Sequence, residues 1–288
     1  MTTIHLALEQ ATASLTQADQ ANARLDAQVL LSHTLHTERG FLYTYPEHVL
    51  TSEQEQNYRT LIERRSQGEP IAYLTGHKEF YGLDFFVDKR VLIPRPETEL
   101  LVETALDVCR KMFDAGHTPI VADIGTGSGA IPVTLAVLEP RLPYLYACDI
   151  STDALDVAHL NCQRHHVEDR VRLLQGDLLA PLPEPVDLVT ANLPYVGTDE
   201  LEELPLDVRD YEPHLALFSG TLGLDLMLRF FQELHYSQKL KAGAIVLLEI
   251  GYRQHKALTS ILQETWPRAI LTFTKDFAGW NRVLQVAL

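Results

Sequence analysis

Along the first 75 residues apolar positions return at helical spacing. Leu6, Leu15, Leu25, Val29, Leu30 and Leu31 stand among alanines and polar residues, as in helices that bury one face. The segment 19–24 predicts a helix start leading into Leu25–Leu35, and Gly40 after His36-Thr-Glu-Arg39 predicts a stop. Ser52-Glu-Gln-Glu55 matches a capping box ahead of a helix over Gln56–Ser66. Residues 1–75 are therefore expected to form a small α-helical domain. Over 76–93 the pattern changes. Phe80, Tyr81, Leu83, Phe85, Phe86, Val87, Val91 and Leu92 crowd together, with Gly76, Gly82 and Asp88-Lys89 as turn candidates. That predicts a linking β-hairpin.

From residue 94 to 288 strand-like and helix-like stretches alternate. Strands are predicted at Ile120–Ile124, Leu145–Asp149, Val171–Leu174, Val186–Ala191, Ala244–Ile250, Ile270–Phe273 and Arg282–Val286. Helices are predicted at Gly129–Leu138, from a Thr152 cap to His165, near Leu224–Leu234 and over His255–Gln263. This order implies an α/β fold, a mostly parallel sheet with helices on both faces, whose ligands sit at the carboxyl ends of the strands.

Composition narrows the chemistry. Hydrophobic residues make up 46% of the 288, as in an ordinary folded protein, and 24 Lys and Arg against 39 Asp and Glu leave a net charge of −15. General nucleic-acid binding draws on cationic surface, so the balance argues against it and suits a basic partner. Cys109, Cys148 and Cys162 form no CxxC pair, and the histidines are scattered except for His165-His166. Neither a disulfide framework nor a metal site is expected. The N-terminus has no basic start and no sustained apolar core, and no stretch approaches the roughly 18 apolar residues that span a bilayer. A cytoplasmic location is expected.

Two motifs carry the candidate chemistry. Asp123-Ile-Gly125-Thr126-Gly127-Ser128-Gly129-Ala130 follows an apolar strand and opens a helix. Its glycines allow a tight turn and close approach of backbone to a ligand. Asp149 closes the next strand, where an acidic residue would accept hydrogen bonds from a ribose diol. A nicotinamide dehydrogenase would satisfy the same loose glycine pattern. The second motif, Asn192-Leu193-Pro194-Tyr195, follows the fourth strand and so lies at the same sheet edge. Asn192 can accept through its side-chain oxygen. Leu193, held extended by the proline after it, can aim its carbonyl into the cleft, and Tyr195 offers a flat face. Two acceptors and a stacking surface suit a planar group bearing NH₂. Such a nitrogen is a poor nucleophile, and acceptors that grip its hydrogens favour attack on an electrophilic methyl held in line. The dehydrogenase reading needs an acceptor for hydride and usually a proton-relay residue, and the sequence offers no clear constellation for it.

With their neighbours these residues resemble the protein-(glutamine-N5) methyltransferases that modify peptide chain release factors. The resemblance covers most of the chain. It rests also on Glu69-Pro-Ile-Ala-Tyr-Leu-Thr-Gly76, Glu79-Phe-Tyr-Gly-Leu83, Val91-Leu-Ile-Pro-Arg-Pro-Glu-Thr-Glu99, Tyr211-Glu-Pro213, Leu215-Ala-Leu217, Gly223-Leu-Asp225, Leu248-Glu-Ile-Gly251 and Asp276-Phe-Ala-Gly279 with Arg282-Val283. It implies a seven-stranded, Rossmann-like class I methyltransferase domain (94–288), a linking β-hairpin (76–93) and a helical domain (1–75) that recognises the release factor. It implies S-adenosylmethionine as methyl donor, and as acceptor the glutamine of the Gly-Gly-Gln loop of class 1 release factors, modified at N5 in translation termination. By carry-over, Gly125, Thr126, Gly127, Ser128 and Gly129 would contact the donor, Asp149 its ribose, and Asp177-Leu178 would lie near its adenine. Asn192 and the Leu193 carbonyl would bind the glutamine amide, with Pro194 and Tyr195 completing the catalytic stretch.

Two positions depart from the family. Leu193 replaces the usual proline, keeping the carbonyl and adding an N–H. The same Asn-Leu-Pro-Tyr form occurs in enzymes that methylate adenine in ribosomal RNA, so an adenine-N6 methyltransferase acting on DNA or RNA is the alternative. It would want a cationic groove and stacking aromatics. A protein that binds the nucleoside without chemistry is a further alternative, but it has no use for an amide-gripping loop. Asn281 stands where an acidic residue is expected before Arg282, and is read as structural. Arg95 is expected to pair with Glu97, Glu99 or the donor's carboxylate. Trp266 and Trp280 are expected to be packing residues, and Glu249 either reaches the cleft or makes structural hydrogen bonds.

Overall fold

The computed structural model describes residues 1–288. In chain order the elements are α1 (Ile4–Gln17), α2 (Ala23–Leu35), α3 (Arg39–Thr44), α4 (Ser52–Ser66), α5 (Ile71–Thr75), β1 (His77–Phe80), β2 (Leu83–Phe86), α6 (Thr98–Asp114), β3 (Val121–Ile124), α7 (Ala130–Leu138), β4 (Leu145–Asp149), α8 (Thr152–Arg164), β5 (Val171–Gln175), β6 (Val186–Ala191), α9 (Leu206–Tyr211), α10 (Asp225–Tyr236), β7 (Leu240–Glu249), α11 (His255–Thr265), β8 (Ile270–Lys275) and β9 (Asn281–Ala287). Contacts divide the chain into two compact units, residues 1–77 with 205–211, and residues 78–204 with 212–288.

The first unit is helical. Ile4, Leu15, Leu30, Leu31 and Ile62 are buried at its centre. The Tyr58 hydroxyl donates to the Ala27 carbonyl at 2.9 Å, so its one polar atom is satisfied inside the core. The cap of α4 lies one residue earlier than the sequence reading put it. Thr51 accepts from the Gln54 amide, and the Gln54 side chain returns the bond to Thr51 N. Thr51 has the extended φ/ψ of an N-cap, which frees Ser52 to be the first helical residue.

The second unit holds a seven-stranded sheet in the order β5-β4-β3-β6-β7-β9-β8. Five strands run parallel and β9 runs antiparallel to both its neighbours. All four residues of β3 and all six of β6 are buried, as expected for strands covered on both faces. One face is packed by α6 and α7, with Leu101, Leu106, Val133 and Leu135 buried. The other is packed by α10 and α11, with Met227, Phe230, Phe231 and Leu258 buried. Each such side chain stabilises the fold by about 1.5–3 kcal/mol relative to leaving it in water.

Helix α6 lies outside the elements predicted from the sequence, although its buried Leu101, Val102, Ala105, Leu106, Val108 and Cys109 trace one face. The turn between β1 and β2 is two residues, Tyr81 and Gly82, both at positive φ, as the tightest hairpins require. Gly76 instead ends α5 in the left-handed conformation. α8 is capped by Ser151 rather than Thr152, and His165 and His166 lie past its end. The first residues of β7 include Lys241 and Gly243, which interrupt the apolar pattern at its start. No helix is long and apolar enough to cross a membrane, and no group of three or more His, Cys, Asp or Glu side chains could hold a metal ion. The three cysteines are free and buried, and burial pushes each thiol up to about 12.

Candidate active site

The strand order reverses at β3. The chain steps outward through β4 and β5, then returns to lay β6 on the other side of β3. The loops leaving β3 and β6 therefore diverge and leave a crevice at their carboxyl ends. A cavity of about 280 Å³ opens there. It is lined by Gly125–Ser128, Asp149, Ile150, Asp177, Leu178, Asn192, Leu193 and Pro194, with Arg90, Arg95, Thr98 and Leu215 among the remaining walls.

The glycine loop is pinned by its own backbone. Gly125 N and Thr126 N both donate to the Cys148 carbonyl, at 2.9 and 3.0 Å, tying the loop to the end of β4. Gly125 has φ +74, and a Cβ built on it would stand 3.0 Å from Leu193 Cδ2. Position 125 is thus restricted both by backbone conformation and by the loop after β6. The fully buried Asn161 of α8 donates to the Ser128 carbonyl at 2.8 Å and to the Phe86 carbonyl at 2.9 Å. It also accepts from Phe86 N at 2.7 Å, so one amide ties the loop to the hairpin.

Asp149 is part of the same loop assembly. Its Oδ2 accepts from Gly127 N at 2.8 Å and its Oδ1 from Ser151 N at 2.9 Å. Each oxygen keeps a lone pair for a ligand. Burial raises its carboxyl above the ordinary range, against the pull of these backbone bonds. Beneath it, Asp123 is fully buried. Its Oδ1 accepts from the Thr190 hydroxyl at 2.7 Å, while Oδ2 and the Thr126 hydroxyl make no hydrogen bond of ordinary geometry. Burial pushes Asp123 up to about 7, with the nearby Asp149 charge adding to the rise and the two threonines opposing it.

On the far side of the crevice, Asn192 Nδ2 donates to Thr98 Oγ1 at 3.1 Å. Thr98 Oγ1 donates to Glu249 Oε2 at 2.6 Å, and Tyr195 OH donates to Glu249 Oε1 at 3.1 Å. Asn192 Oδ1 and the Leu193 carbonyl accept nothing from the protein, and Asn192 Oδ1 is not sealed away as a buried orphan. Burial raises the Tyr195 hydroxyl strongly and the Glu249 carboxyl above its ordinary range, the latter opposed by Thr98, Tyr195 and Arg282.

The structure brings Gly125, Thr126, Gly127, Ser128, Asp149, Asp177, Leu178, Asn192, Leu193 and Pro194 to one cavity. Gly129 sits just behind it, where a Cβ would press on Ala158 at 3.2 Å. Tyr195 is not among the residues that line the cavity and turns its hydroxyl to Glu249 instead. Asp177 is paired with Arg229 at the cavity wall. Arg95 does not pair with its near neighbours. It binds Glu212, which also accepts from Ile93 N. Trp266 packs edge-on against Phe231, but Trp280 is 52% exposed and lies against Tyr252. Sequence reading did not assign roles to Thr98 or Asn161. Thr98 stands within the Val91–Glu99 stretch, while Asn161 has no local signal beyond a polar residue on a helix's buried face.

A family model described as the PrmC N-terminal domain matches residues 7–76, and one described as the methyltransferase small domain matches residues 98–204. The chain is 42% identical over 285 residues to the release factor glutamine methyltransferase of Koribacter versatilis (strain Ellin345), covering 98% of this chain and 97% of that one. It is 36% identical over 286 residues to the protein of that name from Rhodopirellula baltica (strain DSM 10527 / NCIMB 13988 / SH1), covering 99% and 96%. Among solved structures, the hMettl16 catalytic domain in complex with MAT2A 3'UTR hairpin 1 superposes with a TM-score of 0.55 at 15% identity, over 85% of this chain and 84% of that one. That likeness is one of fold.

Proposed function

The chain belongs to the release factor glutamine methyltransferase family, and from that premise we propose that it methylates the N5 amide nitrogen of the Gly-Gly-Gln glutamine in class 1 release factors, with S-adenosylmethionine as donor. The observation that carries the reading is a pair of acceptor oxygens, Asn192 Oδ1 and the Leu193 carbonyl, left without internal donors beside the glycine-loop cavity. A primary carboxamide presents two N–H groups, and two acceptors answer them.

The residues present fit the donor. Gly125, Gly127 and Ser128 bring backbone to the cavity wall, and Asp149 has lone pairs for a ribose diol. The apolar Ile150 and Leu178 line the cavity, with Asp177 beside them, which suits a purine. Gly125–Gly129, Asp149, Asp177 and Leu178 would hold it. When bound, it supplies a methyl group made electrophilic by a sulfonium.

The chain's own part is orientation and polarity. Asn192 and Leu193 hold the amide by its hydrogens, and Tyr195, anchored to Glu249, braces the loop that presents them. This bias localises the nitrogen lone pair and saves the entropy of alignment, which is worth several kcal/mol when geometry is near attack. No base is needed beforehand, because the proton is acidic once the nitrogen carries the methyl, and water takes it. The helical unit is proposed to hold the intact release factor.

The test is mass spectrometry of purified release factor after incubation with the protein and isotope-labelled donor. One labelled methyl on one glutamine is expected. Label on another residue type, or on nucleic acid alone, refutes the reading.

A further inference from the structure

We propose that Thr98 and Glu249 are positioning residues that dictate which end of the Asn192 carboxamide faces the acceptor substrate. The inference rests on the reading of Asn192 given above. An asparagine side chain ends in two groups of nearly equal size and opposite polarity. Turned one way it offers the substrate amide an oxygen, and turned the other way it offers two N–H donors to a group that is itself a donor. Shape alone does not choose between them, so something must.

The choice is made two residues away. Glu249 ends β7 with 0% exposure, and an ionised carboxylate can only accept. Its Oε2 lies 2.6 Å from Thr98 Oγ1. A hydroxyl has one hydrogen, and here it is directed to the carboxylate. Toward Asn192, 3.1 Å away, Thr98 can then act only as an acceptor. Asn192 must answer with its NH₂, which leaves Oδ1 for the cavity. Polarity thus passes from carboxylate to hydroxyl to amide. Thr98 is 4% exposed and opens α6, so water has little access to substitute for any link.

The second oxygen of Glu249 receives the Tyr195 hydroxyl at 3.1 Å. One carboxylate therefore orients both side chains of the acceptor loop. The charged groups about it are Arg282, which favours the ionised form, and Glu97, which opposes it. Arg282 in turn is held by Asp276 at 3.1 Å. Burial raises Glu249 above the ordinary carboxylate range, against Thr98, Tyr195 and Arg282. A protonated Glu249 could donate to Thr98, release its hydrogen toward Asn192 Oδ1, and reverse the amide.

The experiment compares Thr98→Val, Thr98→Ser, Asn192→Ala and the Thr98→Val/Asn192→Ala double variant. Methylation of intact release factor gives kcat and KM, and calorimetry gives donor affinity. Thr98→Val should lower kcat by about 10- to 100-fold with donor affinity held within about twofold. Thr98→Ser, which keeps the hydroxyl, should recover most of the rate. Adding Thr98→Val to Asn192→Ala should cost nothing further, because the group being oriented is already gone.

A wild-type kcat for Thr98→Val beside a slow Asn192→Ala overturns this inference and leaves the amide-gripping reading intact. A wild-type rate for Asn192→Ala overturns that reading itself. Additive losses in the double variant, or a serine variant as slow as the valine one, assign Thr98 to structure alone and also overturn the inference. Should valine unfold the chain, Thr98→Ala is read by the same comparisons.

Discussion

Asp123 offers the sharpest test of how this site is built. Its carboxyl is fully buried beneath the glycine loop and is pushed from an ordinary 3.8 up to about 7. A raised carboxyl binds its proton more tightly in the folded state than in the unfolded chain. Its contribution to stability is therefore complete below about 3.8 and is lost as pH rises through about 7. The full rise corresponds to about 4 kcal/mol at 1.36 kcal/mol per pH unit, of which about 2.5 kcal/mol falls between pH 5 and 8. Asp123→Asn removes the titration while keeping an acceptor for Thr190. The variant should therefore gain on the wild type by about 2.5 kcal/mol between pH 5 and pH 8. With a urea slope of about 2 kcal/mol/M, the two midpoints should move relative to each other by about 1 M. Trp266 and Trp280 both lie in the unit that contains Asp123, so intrinsic fluorescence follows the relevant transition. The change with pH is the readout, because a constant offset could come from any local misfit of the amide. Equal midpoint differences at pH 5 and pH 8 would refute the reasoning.

Three further outcomes are expected. Asp149→Ala removes an acceptor for the ribose and the anchor of Gly127, and should weaken donor binding roughly 10- to 100-fold, as for loss of a charged hydrogen bond; unaltered affinity in a calorimetric titration removes the ribose assignment. Gly125→Ala combines a left-handed backbone, about 1–2 kcal/mol, with a methyl 3.0 Å from Leu193 Cδ2. It should lower the melting temperature, and a double-mutant cycle with Leu193→Ala should show a non-zero interaction term; strict additivity would show that the contact is not the cause. Cys109, Cys148 and Cys162 should all resist a thiol reagent at pH 8 and all react once urea unfolds the chain, and rapid labelling of any of them in the folded protein would contradict their burial.

What the sequence made legible was local. β4 and β6 came out residue for residue, because each is an apolar run closed by a polar or turn-forming residue. The glycine loop and the Asn192–Tyr195 stretch could be assigned to one sheet edge, since parallel strands must all end on the same side. What escaped was pairing across long separations. The sequence offers Arg95 three partners, two of them nearby, yet it pairs with Glu212, 117 residues on. Thr98 meets Glu249 across 151 residues. No periodicity encodes either pair, since each depends on which strand end the sheet order sets beside which helix start. The cap residues were misplaced by one for a simpler reason. Threonine and serine stand side by side at both sites, and only the backbone angles decide which one leaves the helix.

The near-contact between Gly125 and Leu193 has a consequence for how such a site can change over time. The loop that would carry the donor and the loop that would carry the acceptor meet closely enough that a side chain at 125 is felt at 193. A methyl gained at 125 requires the end of the Leu193 side chain to give way by a few tenths of an ångström. Position 193 can change while glycine stays at 125, as the leucine in place of the family's usual proline shows, but a side chain gained at 125 is expected only together with a smaller or shifted group at 193.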